Sequence, residues 1–509
     1  MFGKLLTRTA QTVIIMMLSA VGVLGFSAAA HSSPIVGAIN AGLSGTGSKD
    51  IVAAGAKLFV LNGSDIKVID TSVSPPTVST ISFSNPGLDG TLNKGVYVGT
   101  DQSVWVTSYG MGSSGTVREG GEVIRIDATT NTVTHRFCSR SSTGTCTLSS
   151  LEGAMGITTD GSNVYVAMQA FNDSRDSILV FDTGYRLGGP NVQPSRLANL
   201  AYTVVNSSSP ASPGTDSPAW LAISGNILYI FQEGPPNTNA NVVRFVLGSS
   251  PVAQTYFSTG VMSATFARTG PDGFVYFGNA DIVKRIDAAG ATTTVRSAAS
   301  AGTIGVAFTP EDHPDGRWLF TAQTGGVKAL LRSSPFTEVG SVSGLTNPKG
   351  VGVLGDYLYL ATTPTVTQIS LNPTIATSDR VLNLDTVSTI DSPPIESFWT
   401  SVVFESTTLP AGLTLDPSTG AISGTPTSVG DTVVTITARG SSMFTRSSSF
   451  TISVVGPTTP SPPGSADADP NKLAATGINS GTALIVGLIA AGLGLAGAAS
   501  IVIARRKLT

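Results

Sequence analysis

The chain has 509 residues, of which 12% are charged and 41% hydrophobic, with a formal net charge of −3. A charged fraction so far below the usual quarter, together with 57 glycines, points to a chain built of strands and turns. No basic field exists to attract a nucleic acid or an anionic membrane, so nucleic-acid binding is set aside, and the length calls for more than one ordinary core.

At the N-terminus Lys4 and Arg8 precede an apolar stretch over 13–26, followed by Ala28-Ala29-Ala30. That order reads as a secretory signal peptide over 1–30, cut near Ala30, so that the mature chain starts near His31 outside the cell. Pro34-Ile35-Val36-Gly37-Ala38-Ile39 follows as a lone strand. From residue 50 to about 383 one unit recurs seven times. It has a small apolar strand, a Gly or Asp turn, an aromatic-bearing strand, and a third strand often closing on Asp.

Copies of the second strand are centred on Phe59, Trp105, Tyr165, Leu228, Val275, Leu319 and Leu358. Third strands close on Asp70, Asp127, Asp182 and Asp287. A spacing near 40–50 residues with several short strands per unit is the signature of propeller blades. The fold class expected is all-β: a seven-bladed β-propeller over 34–383, with the lone N-terminal strand completing the last blade so that no raw edge remains. An eight-bladed or open array is the alternative, because 184–216 does not register with the repeat. The phrase Ile126-Asp127-Ala128-Thr129-Thr130-Asn131-Thr132-Val133 resembles the turn between third and fourth strands of YVTN-type bacterial propellers.

Cys138 and Cys146 flank a short Ser/Thr/Gly-rich segment. In an exported chain two cysteines this close are expected to form a disulfide, worth about 2–3 kcal/mol. The histidines are His31, His135 and His313. His135 falls on an outer strand, and His313 lies beside Glu311 and Asp312 in a Pro/Asp/Gly turn that reads as a solvated hairpin, the alternative being a metal or acid/base cluster. Trp105, Tyr165, Tyr229, Tyr276, Trp318 and Tyr359 share a recurrent strand position and are expected to pack between blades. No Gly-x-Ser-x-Gly elbow, phosphate loop or Cys-x-x-Cys motif appears, and no enzyme activity is expected. The alternative is an extracellular propeller enzyme (a lyase, lactonase or glycan-active enzyme) using acids at the channel mouth. Propellers host such chemistry, and the virginiamycin-B-lyase-like ones are an enzymatic comparison, although no matching histidine motif is found.

Residues 409–427, from Leu409-Pro410-Ala411-Gly412 through Asp416-Pro417-Ser418-Thr419-Gly420 to Gly424-Thr425-Pro426, resemble the Ig-like (cadherin-like) repeat of bacterial surface proteins. The resemblance implies a small β-sandwich over 384–455, although 392–404 departs from the pattern. Leu413 and Leu415 are expected to alternate inward and 416–420 to turn. The resemblance also raises calcium, but Asp391, Glu396, Glu405, Asp416 and Asp431 are scattered, and no cofactor is expected.

A Pro/Ser/Gly-rich linker over 456–472 leads to Leu473-Ala474-Ala475-Thr476-Gly477, then an apolar run over 482–504, then Arg505-Arg506-Lys507. At about 1.5 Å per residue the run is long enough to cross a bilayer as a helix, and the terminal cations suit a cytoplasmic stop. This order resembles the cell-wall sorting signal (473–509) of Gram-positive, LPxTG-like surface proteins, in the Leu-Ala-x-Thr-Gly form of high-GC (actinobacterial) members. The resemblance implies that a sortase cuts after Thr476 and joins it to peptidoglycan. The chain would then be a cell-surface binding or adhesion-type protein, the propeller facing an extracellular protein or glycan ligand.

Overall fold

The computed structural model describes residues 34–457, apart from internal stretches of which the longest are 84–94, 109–121, 139–153, 169–176, 183–194, 205–217 and 233–240. The expected signal segment 1–30, the expected sorting segment 473–509 and its apolar run 482–504 lie outside the described residues. Among the described residues no helix is long and apolar enough to cross a membrane.

Seven antiparallel sheets repeat along the chain. Blade one is Ile51–Ala54, Lys57–Leu61, Asp65–Asp70 and Thr77–Ser82. Blades two to six follow in chain order, their first strands being Gly95–Val98, Ala154–Thr159, Pro218–Ser224, Phe266–Thr269 and Gly305–Phe308. Blade seven has Val351–Leu354, Tyr357–Thr362 and Thr365–Ser370, and its fourth strand is the N-terminal Ile35–Asn40. That strand runs antiparallel to the third, from Ile35 opposite Ile369 to Asn40 opposite Thr365. Each first strand touches the first strands of both neighbouring blades, and the ring closes between blades seven and one. The fold is therefore a seven-bladed propeller closed by its own N-terminal strand. Among its described residues, stretch 184–216, which did not register with the repeat, holds two three-residue strands. Ser195–Leu197 ends blade three, and Tyr202–Val204 runs parallel to Gln254–Ser258 as a fifth strand of blade four.

Local chemistry explains the repeat. Second strands are covered by a blade on each side, so they are continuously apolar, as in Leu58, Phe59, Val60 and Leu61. The closing aspartates organise the next turn: Asp127 Oδ1 accepts from the Thr129 and Thr130 backbone N–H groups at 2.8 and 2.9 Å. These bonds, chiefly that from Thr130, hold its carboxyl below the ordinary carboxylate range. The 126–133 phrase thus occupies the turn between third and fourth strands, with Asn131 at φ 58°. Lys57 of blade one donates to the Ala128 and Thr129 carbonyls of that turn at 2.9 and 2.7 Å, fastening one blade to the next.

After Ser370 the chain enters an Ig-like β-sandwich whose strands begin at Thr374, ten residues before the expected boundary of 384. One sheet orders Arg380–Asn383, Thr445–Val455, Gly430–Arg439 and Val403–Ser406; the other orders Ser388–Ile390, Ile422–Gly424 and Leu413–Leu415. Leu413 is buried and Leu415 half-buried, while Thr414 between them is exposed. Asp416 caps the 416–420 turn by accepting from Ser418 N at 2.8 Å. The core is Phe404, Ile422, Val434, Ile436, Phe450 and Ile452.

Within 392–404, the segment that departs from the Ig-like pattern, residues 398–400 belong to the propeller junction. Ser341 N donates to Phe398 O and Thr400 N to Val339 O, each at 3.0 Å, so this segment pairs with the outer strand of blade six, Glu338–Ser343. Phe398, Trp399 and Phe444 join Trp318, Phe320 and Leu360 in one buried cluster. Trp399 Nε1–H donates to Leu371 O at 2.6 Å. Gly340 is needed for this approach, since a Cβ there would lie 2.8 Å from Phe398 O. The sandwich therefore covers part of an edge that a propeller blade otherwise leaves open.

Candidate functional site: the hub of the propeller

A propeller's usual place for a ligand is the hub, where the seven first strands converge. One residue of each first strand lies directly opposite the recurrent large residue of the second strand. Taken in blade order these are Val52, Tyr97, Thr158, Ala222, Arg268, Ala307 and Gly352. At two of the first strands a small residue is dictated by space. A Cβ on Gly156 would sit 2.7 Å from Ala219 O, and one on Gly352 would sit 2.7 Å from Ile51 Cγ2.

Arg268 is the long charged member of the ring. Its Nη1–H donates to Val306 O in blade six at 3.0 Å, and its Nη2–H donates to Asp50 Oδ1 at 2.8 Å. Asp50 precedes the first strand of blade one and also accepts from Ile51 N at 2.9 Å. Blades five and one are not neighbours, so the pair bridges the hub. Each side chain is about three-quarters buried, at 25% and 29% exposure. A charge-assisted bond in this setting is worth about 1–2 kcal/mol. Arg268→Ala and Asp50→Ala are each expected to lower urea-unfolding stability by about that much. The double variant should add little more, the mark of a shared interaction. Strict additivity would show that the two side chains act separately.

The recurrent second-strand aromatics are buried between blades. Trp105, Tyr165, Tyr229, Tyr276 and Tyr359 are each under 5% exposed. Trp318, grouped with them from sequence, sits two residues earlier; Phe320 holds the equivalent place opposite Ala307, and Trp318 packs on Trp399 instead. Burial pushes the Tyr97 and Tyr229 hydroxyls up, and that of Tyr359 to about 12. Third strands place Arg125, Arg244 and Arg285 directly opposite Trp105, Tyr229 and Tyr276. These are packing faces, with the Arg125 guanidinium 5.6 Å from the Trp105 ring centre.

His135 lies on the outer strand of blade two, buried, with its ring 6.5 Å from that of Trp105. His31, His313, Glu311 and Asp312 lie outside the described residues. Cys138 ends the outer strand Thr132–Cys138, but Cys146, and with it the expected disulfide, lies outside them too. Among the described residues no three His, Cys, Asp or Glu side chains gather as a metal group. Two acids of the Ig-like module are engaged locally: Asp416 caps its turn, and Glu405 pairs with Arg439 at 3.4 Å. Sequence reasoning missed Arg268 and Asp50. The available signal was a lone charged residue at a first-strand position that is uncharged in the other six blades.

The sequence model of the family described as "Putative Ig domain" matches residues 362–455. No curated protein matches the chain. Among solved structures, virginiamycin B lyase of Staphylococcus aureus, in a catalytically inactive form with quinupristin, is similar at 14% identity and TM-score 0.46, over 66% of this chain and 98% of that one. Kuenenia stuttgartiensis hydrazine synthase is similar at 16% identity and TM-score 0.44, over 64% and 97%. The extracellular domain of a "putative one component system" from B. thetaiotaomicron is similar at 11% identity and TM-score 0.44, over 84% and 59%.

Proposed function

We propose that this chain is an exported protein held covalently on a bacterial cell wall, whose propeller serves as an interaction platform for an extracellular protein or glycan. The observation that carries the reading is the order of segments at the carboxyl end: linker, Leu473-Ala474-Ala475-Thr476-Gly477, apolar run and Arg505-Arg506-Lys507. On this reading a sortase thiolate attacks the Thr476 carbonyl, releases Gly477 onward and passes Thr476 to an amine of the peptidoglycan precursor. Leu473 fills an apolar pocket of that enzyme, and Ala474 stands where related signals carry Pro. The run 482–504 with its basic tail delays export until cleavage. Cys138 and Cys146 pair after export, and no metal or cofactor is required.

The hub supports display over catalysis, because its charged pair is mutually engaged and Asp50 is held by a guanidinium and a backbone N–H. The Pro-rich linker over 456–472 supplies extended reach through the wall. The test is cell fractionation. Thr476→Ala is expected to move the protein from muramidase-released wall material to membrane or medium. Wall retention equal to that of the parent would defeat the proposal.

A further inference from the structure

Arg380–Asn383 is an edge strand of the four-stranded sheet of the Ig-like module. Its residues alternate between core and solvent. Leu382 lies opposite Val454 and packs on the core, while Val381, opposite Ser453, is 70% exposed. By the same alternation Arg380, opposite the buried Ile452, occupies a core-facing position. An arginine cannot leave its charge in an apolar core. Its Nη1–H donates to Ser378 Oγ and, at 3.3 Å, to Asp379 O, which holds the guanidinium at the edge of the sandwich.

A cavity of about 250 Å³ opens at this edge between the two sheets. Its floor is Ile422 from one sheet and Ile436 and Phe450 from the other, all buried. Its mouth carries Arg380 on one side and Asp391, which follows the strand Ser388–Ile390, on the other. Opposite charges on one opening would ordinarily pair, yet no ion pair joins these two among the described residues. The wall between strands, 376–380, is fastened to the sheet. The Thr377 and Ser448 hydroxyls lie 2.7 Å apart, and Thr451 N–H donates to Asp379 Oδ1 at 2.7 Å. The cavity is therefore preformed, with an apolar floor and one charge of each sign at its rim.

An apolar cavity of about 150 Å³ is already large enough to hold benzene, whereas pockets for drug-sized ligands begin near about 300 Å³. The space thus suits one branched or aromatic side chain together with a small polar head. We propose that this cavity binds a free α-amino acid with a large aliphatic or aromatic side chain. The side chain rests on Ile422, Ile436 and Phe450, the carboxylate meets the Arg380 guanidinium, and the ammonium meets Asp391. The site belongs to the Ig-like module and does not depend on how the carboxyl end of the chain is anchored.

The experiment uses the full chain in detergent solution. L-leucine and L-phenylalanine are titrated while the thermal midpoint and saturation transfer to the ligand side-chain protons are followed. Glycine lacks the side chain, 4-methylpentanoate lacks the ammonium, and 3-methylbutylamine lacks the carboxylate. A saturable response to leucine or phenylalanine is expected, with each partial ligand at least tenfold weaker. Arg380→Gln and Asp391→Asn, both at exposed positions, should each weaken amino-acid binding at least tenfold, and Ala376→Phe should block the mouth. The absence of a saturable response to both amino acids overturns the proposal. So does binding of 4-methylpentanoate or 3-methylbutylamine as tight as that of leucine, which marks an unselective apolar cavity, or unchanged binding in either charge variant.

Discussion

Trp399→Ala is expected to lower stability by about 3–5 kcal/mol, the range for truncating a large buried aromatic. The indole packs against Trp318 at 4.9 Å, Phe398 at 5.4 Å and Phe444 at 5.2 Å between ring centres, and its N–H is satisfied by Leu371 O. Removing it empties the seam where the Ig-like module meets blades six and seven. The consequence reaches beyond stability, because this seam lets 398–400 pair with the outer strand of blade six. Urea unfolding should become biphasic as sandwich and propeller uncouple, and proteolysis between residues 371 and 380 should accelerate. Trp399→Phe keeps the ring contacts but leaves Leu371 O without its donor, and should cost about 1 kcal/mol. A single transition within 1 kcal/mol of the parent for the alanine variant would show that the module is held some other way.

The second large effect concerns the hub. Gly156→Val would drive a side chain into the backbone of blade four, since even a Cβ would lie 2.7 Å from Ala219 O, 2.8 Å from Trp220 Cα and 2.9 Å from Leu221 N. None of these atoms belongs to a side chain that could rotate away. The first strands must part, and the ring of seven has no slack because it closes on itself. A loss of about 3 kcal/mol or more is expected, at the upper end of overpacking costs. Gly37→Val is the control. It lies on the closing strand with nothing within 4 Å of its Cβ, and should leave stability within about 0.5 kcal/mol. Comparable losses at the two glycines would remove the argument that hub crowding dictates small residues.

Much of the architecture was legible before any coordinates. Alternating strands, turn glycines and closing aspartates are local signals, and their recurrence gave seven blades and the role of the N-terminal strand. The Ig-like turn at Asp416 was equally plain, because an Asx cap is completed within three residues. Where the reading strayed, a distant partner had intervened. Trp318 seemed to belong to the blade aromatics, yet Trp399 draws it into the junction. The 392–404 stretch looked unpatterned because part of it pairs with blade six and not with its own sandwich.

The amino-acid sequence by itself determined that this is a chain of short repeating sheets followed by an Ig-like module. Those properties follow from spacing along the chain. Only the tertiary structure decided that Arg268 meets Asp50, 218 positions away, and that Arg332 comes to lie beside Asp272 and Arg285. Charges find such partners only once the ring has closed, and no local pattern records where closure will bring them.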